Sequence, residues 1–321
     1  MNLRLIGFFL VLGVVTFSWL MTYGAWQFQN VAARVVPIEP RSFRTLTVIT
    51  VGTGGEYENP ARGGPATAVA VGKRMLLVDA GRSVAEGLRN ATISVAQPEM
   101  LLLTNLLPEN TVGLDDLLLT GWIQGLSEPL QVVGPAGTRE LVDGLLAAHA
   151  RGIAARREAL ALPPGGIEVE SVEIEDGWSF EADGLRVRAG ALPGGPLAAF
   201  AYRFEAGDRS AVIAGTGWAD DALVAFAQGA DLLVHEAAFI PDPEVAEKIG
   251  VDTDPVRLRR EIALHTRLEE VGGLAARAGV EKLALVRLRP PPVYDVQITS
   301  EIDGGFDGSI VIPEDGDEIR P

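Results

Sequence analysis

The sequence predicts an α/β protein in which two β-sheets pack face to face between layers of helices, carried behind an N-terminal membrane anchor. Three observations lead there. The chain has 321 residues, 47% of them hydrophobic, with 37 glycines and 20 prolines, enough for one large domain rich in turns plus an accessory segment. Gly165 and Gly166 separate two halves, each a set of strands followed by alternating helices and strands, a pattern that buries sheets under helices. Residues 5–23 carry no charge, close to the ~20 residues that cross a bilayer as a helix.

Taken in order, residues 1–26 read as the anchor. Arg4 precedes the apolar run, and Trp19, Tyr23 and Trp26 gather toward its far end as an interfacial aromatic belt. The rival is a cleavable signal peptide ending at Ala33, but its apolar core would usually span only ~7–15 residues. The positive charge on the N-terminal side places the start of the helix in the cytoplasm. The expectation is therefore a single-pass protein of the inner (cytoplasmic) membrane with an extracytoplasmic domain. Residues 27–43 read as a tether in which Pro37 and Pro40 discourage a helix, and 44–321 as the domain.

Within the domain, 44–51 alternates as a strand and runs into the Gly/Pro-rich loop that ends at Pro65. Strands follow at 66–71 and 74–79 about a Gly72–Lys73 turn, with a helix near 83–89 and a buried strand at 100–104. A helix at 114–124, a strand at 130–133 and a long helix from Thr138 complete the first half. The second half reads as strands 168–174, 185–191, 198–204 and 210–214, a helix at 220–228, a strand at 231–234, a helix at 268–278 and a strand at 283–286.

Composition excludes several function classes. A net charge of -16 argues against nucleic acid, whose phosphates need clustered Lys and Arg. Zero cysteines exclude disulfides and thiolate metal sites. There is no Gly-x-Ser-x-Gly elbow, and Gly52, Gly54 and Gly55 lack the lysine of a phosphate loop.

The segment 100–122 resembles the metal-binding loop of the metallo-β-lactamase superfamily, in its ribonuclease Z/arylsulfatase-like branch. There an apolar strand ends in Thr-His-x-His-x-Asp-His, followed by Thr-x-Gly-Leu-x-Asp-Leu-Leu. Here Thr104, Thr111, Gly113, Leu114 and Asp116 keep the frame. Asn105, Leu107 and Asn110 stand at the histidine positions, and Glu109 stands at the aspartate. Further landmarks resemble the family in order: the Gly52–Gly55 loop, Asp79 with Ala80 and Gly81, the 212–217 stretch, His235-Glu236-Ala237-Ala238, and His265-Thr266. The likeness implies a four-layer αββα sandwich over 46–312. It also places Gly194 at the third histidine position, Thr216 at the bridging aspartate and Arg287 at the last histidine.

Every one of these ligand positions departs from the family pattern, and Glu109 alone keeps a carboxylate. A dinuclear site needs imidazole and oxygen donors converging on each ion to activate water, so zinc binding is expected to be lost. The resemblance puts Glu109 and Arg287 on the same ion, so the two are expected to form a buried ion pair in its place. His265 resembles the family's proton donor, His235 reads as a packing residue with Glu236 as its partner, and His149 lies on a helix surface. Glu236, Asp116 and Asp79 are expected to satisfy backbone amides. The expected function is a non-catalytic binding or scaffold protein, its partner unspecified. The alternative is a superfamily hydrolase remodelled around Glu109, Glu236 and His265.

Overall fold

The computed structural model describes residues 3–33, 38–56, 59–215, 221–248, 254–289, 298–299, 302 and 305–321, in two compact units, 1–38 and 39–321. The first unit is one helix, α1 (Leu3–Ala33), whose stretch Gly7–Gln29 has a mean hydropathy of 1.7 and is long enough to cross a membrane. It runs past Trp26 to Ala33, into the expected tether. Pro37 and Pro40 lie beyond its end, so neither interrupts its hydrogen-bond ladder. Trp19 stacks on Tyr23 at 5.4 Å, Tyr23 meets Trp26 at 5.9 Å, and Gln27 donates to the Tyr23 hydroxyl at 2.7 Å.

In the second unit, the first half gives β1 (Phe43–Gly52), β2 (Ala66–Gly72), β3 (Arg74–Val78), α2 (Val84–Asn90), β4 (Met100–Leu102), α3 (Pro108–Thr111), α4 (Leu114–Ile123), β5 (Leu130–Gly134), α5 (Thr138–Leu160) and β6 (Val169–Glu173). The second half gives β7 (Ser179–Ala182), β8 (Leu185–Ala191), β9 (Phe200–Ala206), β10 (Arg209–Ala214), α6 (Asp221–Ala227), β11 (Leu232–Ala238), α7 (Pro243–Lys248), α8 (Pro255–Ile262), α9 (Leu268–Ala278), β12 (Lys282–Arg289), β13 (Ser309–Val311) and β14 (Glu318–Ile319).

One sheet has the order β14-β1-β2-β3-β4-β5-β6 and the other β13-β12-β11-β10-β9-β8-β7. Both change from antiparallel to parallel pairing along the chain, at β3–β4 and at β10–β11. The apolar strands are buried on both faces, which is why they lack a clean polar alternation. Met100 and Leu102 point between the sheets toward Tyr202, Phe204 and Val234, whereas Leu101 and Leu103 point outward under α2, α4 and α5. Val212, Leu233 and Leu285 pack likewise under α6 and α9. The result is the αββα sandwich, with the parallel strands β3, β4, β11 and β12 delivering their C-terminal ends to one edge.

Candidate functional site

At that edge the backbone makes two uncommon turns. Asp79, just past β3, has φ +61, and Arg287, within β12, has φ +55, a region most side chains avoid. Each is held by its own N–H: Asp79 donates to the Leu102 carbonyl at 2.9 Å, and Arg287 to the Thr53 carbonyl at 2.7 Å. The turns aim the two side chains at each other. Arg287 Nη2 lies 2.5 Å from Asp79 Oδ2, with the side chains 7% and 1% exposed. Arg287 Nη1 donates to Asn110 Oδ1 at 2.9 Å.

The neighbouring polar groups close the network. The Thr104 N–H donates to Asp79 Oδ1 at 2.8 Å and its hydroxyl to Oδ2 at 2.8 Å. Asn110 Nδ2 donates to Asn105 Oδ1 at 2.7 Å, which also accepts the Leu107 N–H at 2.9 Å. Burial pushes the Asp79 carboxyl up, against the pull of the Arg287 charge and the Thr104 donors. The buried Tyr202 hydroxyl donates to the Leu103 carbonyl at 2.8 Å and is held well above the usual phenol range by burial and by the Asp79 charge.

A second polar group lies at the ends of β11 and β12. His265 Nδ1 is 3.0 Å from Glu236 Oε2, and the other Glu236 oxygen accepts the Thr266 N–H at 3.3 Å. Burial disfavours the charged His265 imidazole, but the Glu236 hydrogen bond and charge outweigh it and the net shift is upward. Arg289 approaches His265 Nε2 at 3.5 Å while bound to Glu56 at 2.7 Å. His235 is fully buried, with Nε2 2.9 Å from Thr266 Oγ1 and Nδ1 without a hydrogen-bond partner. Burial lowers its imidazole to about 4.

Three expectations require correction. Arg287 pairs with Asp79, not Glu109. Asp79 is fully buried and would otherwise be an uncompensated charge, whereas Glu109 is half-buried in the first turn of α3 and keeps contact with water. His235 meets Thr266 and leaves Glu236 to His265. Asp116 accepts the Thr120 hydroxyl at 2.8 Å, a side-chain partner where a backbone amide was expected. Asn105 and Asn110 do join the Arg287 network. Leu107 is the half-buried residue before α3, and Gly194 occupies an exposed bend between β8 and β9 with φ +108. Thr216 lies outside the described residues. His149 sits part-exposed on α5, 3.1 Å from Asp115.

No family model matches the chain, but individual proteins do. It is 36% identical over 253 residues to a ribonuclease Z of Mycobacterium sp. (strain KMS), covering 77% of this chain and 85% of that protein. The chain belongs to the ribonuclease Z family. A second ribonuclease Z, from Mycobacterium bovis (strain BCG / Pasteur 1173P2), is 29% identical over 279 residues, 84% of this chain and 96% of that protein. Among solved structures, the metallo-beta-lactamase fold protein YhfI from Bacillus subtilis superposes with a TM-score of 0.66 at 18% identity, over 86% of this chain and 99% of that one. Human tRNase Z, short form, gives 0.60 at 19% identity, over 85% and 98%. These neighbours show that the domain has the metallo-β-lactamase fold.

The donors gathered around Arg287 are a poor set for the zinc this fold family uses. They are one carboxylate, two amides and a hydroxyl, and a guanidinium already fills the space they face. Among the described residues no group of three or more His, Asp or Glu is placed to hold a metal ion. Among the described residues, the donor set around Arg287 does not fit a dication.

Proposed function

We propose that this ribonuclease Z family member is a membrane-anchored, non-catalytic protein that binds or organises a partner through the surface of its αββα domain. The observation that carries the proposal is the Arg287 guanidinium, hydrogen-bonded to Asp79 and Asn110, which puts a fixed cation where metal-dependent hydrolysis would need vacant, electron-rich donors. Without a metal-activated water, the metal-dependent route to cleaving a phosphodiester, ester or β-lactam has no nucleophile. On this reading α1 spans the inner membrane with its start in the cytoplasm, and 44–321 lies outside as a domain that uses no zinc and no nucleic acid.

One observation favours a second reading, a hydrolase with a remodelled site. The Glu236–His265 pair remains intact at 3.0 Å, an acid–base couple that could serve a reaction, although Glu109 makes no ion pair with it among the described residues. Hydrolysis assays with zinc or manganese separate the readings, using a phosphodiester, an ester, a β-lactam and a precursor tRNA as substrates. The expected result is no turnover above the metal-only control. Chelator-sensitive hydrolysis abolished by Glu109→Ala or His265→Ala would favour the hydrolase.

A further inference from the structure

We infer that Arg287 is a built-in structural cation: its guanidinium takes over the charge-neutralising and cross-linking work of a metal, so that the fold stands without any ion. This rests on the proposed reading of a metal-free pocket and adds a claim about stability that the reading alone does not make.

Asp79 is the group that needs a cation. A carboxylate 1% exposed among apolar strands is costly unless a positive charge and donors surround it. Thr104 supplies two donors, but neither carries charge. Arg287 supplies the charge at 2.5 Å. Its second nitrogen does not stay idle, because Asn110 Oδ1 accepts it, and Asn110 is fixed in turn by Asn105. Planar guanidinium geometry suits this two-pronged task, which a lysine ammonium could not perform with the same reach.

Topology gives the contact its reach. Arg287 belongs to β12 in one sheet, Asp79 follows β3 in the other, and Asn110 belongs to α3. A single side chain therefore joins the strand ends of both sheets and the short helix between β4 and α4. The backbone supports the same conclusion independently. Both partners sit at positive φ, a conformation that is strained for an arginine and persists only when the surroundings compensate. Relaxing either turn would withdraw a side chain from the pair.

The test uses the full chain in detergent micelles, unfolded by denaturant. Wild type is expected to give the same midpoint with excess zinc and with EDTA. Arg287→Ala and Asp79→Ala should each lower the folding equilibrium constant on the order of a hundredfold or more, and the double variant should fall short of the product of the two by at least tenfold. Arg287→Lys should retain part of what Arg287→Ala loses. Should Arg287→Ala not fold, the Lys variant and Asn110→Ala carry the measurement, each expected between wild type and Arg287→Ala. An EDTA-sensitive midpoint, independent Arg287 and Asp79 effects, or an Arg287→Lys protein as stable as wild type would overturn the inference. Chelator-resistant hydrolysis would instead overturn the non-catalytic reading and leave this one standing.

Discussion

His235 shows how a single burial decision becomes a pH dependence. Its imidazole is lowered to about 4 by burial, so the folded state holds it neutral while the unfolded chain protonates it near 6.5. A lowered histidine contributes stability that is fully present above the unfolded value and is lost as pH falls toward the folded one. Between pH 6.5 and about 4 this amounts to roughly 3 kcal/mol. His265 works the other way: its upward shift gives stability that is full below 6.5 and fades as pH rises through its folded value. Denaturation across pH 4–8 should therefore show an acid-side loss that is absent from His235→Phe, since the variant has nothing to protonate. An unchanged acid slope in that variant would assign the loss to the carboxylates. A smaller effect is expected for Tyr202→Phe, which leaves the Leu103 carbonyl unpaired in the core and should cost about 1–3 kcal/mol.

At the scale of elements, legibility followed the range of the interaction. The strands 66–71 and 74–79 and the helix from Thr138 were readable because hairpin turns and periodicity are local. The β7–β8 hairpin carries a local sign of the same kind: Asp183–Gly184, both at positive φ, is the dipeptide that two-residue hairpins favour. Pro243 and Pro255 likewise open α7 and α8, each after an aspartate, and Asp254 accepts the Val256 N–H at 2.9 Å as a helix cap does. By contrast β14 pairs with β1 across almost the whole chain, which no local pattern announces. The site divides the same way. Asn105, Asn110 and Arg287 could be placed by motif, but the choice of Asp79 over Glu109 depended on burial, which the motif does not encode. Glycine contacts give the elements a test of their own. A Cβ on Gly113 would stand 2.1 Å from the Gly81 carbonyl oxygen, so the Asp79–Gly81 loop and the start of α4 can approach only without a side chain. Gly113→Ala should cost about 1–3 kcal/mol or more by denaturation, and a neutral result would mean that the loop is free to shift.

For the whole molecule, the net charge and the apolar N-terminal helix bear on where the domain works. A net charge of -16 disfavours contact with polyanions, which is why the proposed partner is not a nucleic acid. The apolar stretch Gly7–Gln29 should keep the full chain in the membrane fraction after high-salt and carbonate washing, whereas a chain beginning at Glu39 should be recovered without detergent. A reporter fused after Pro321 should be active outside the cytoplasm. Activity only inside it would reverse the proposed orientation, and a mature protein starting at Arg34 would replace the anchor with a cleaved signal.

If a guanidinium stands in for the metal, as proposed, the pocket should hold no ion. The most direct measurement is the zinc and manganese content of the full-length protein purified from cells supplied with both metals, alongside Arg287→Ala. The expected result is far less than one ion per chain in wild type, because Asp79 and Asn110 are already engaged by Arg287. Near-stoichiometric zinc in wild type, removed by chelator and by Glu109→Ala, would contradict it.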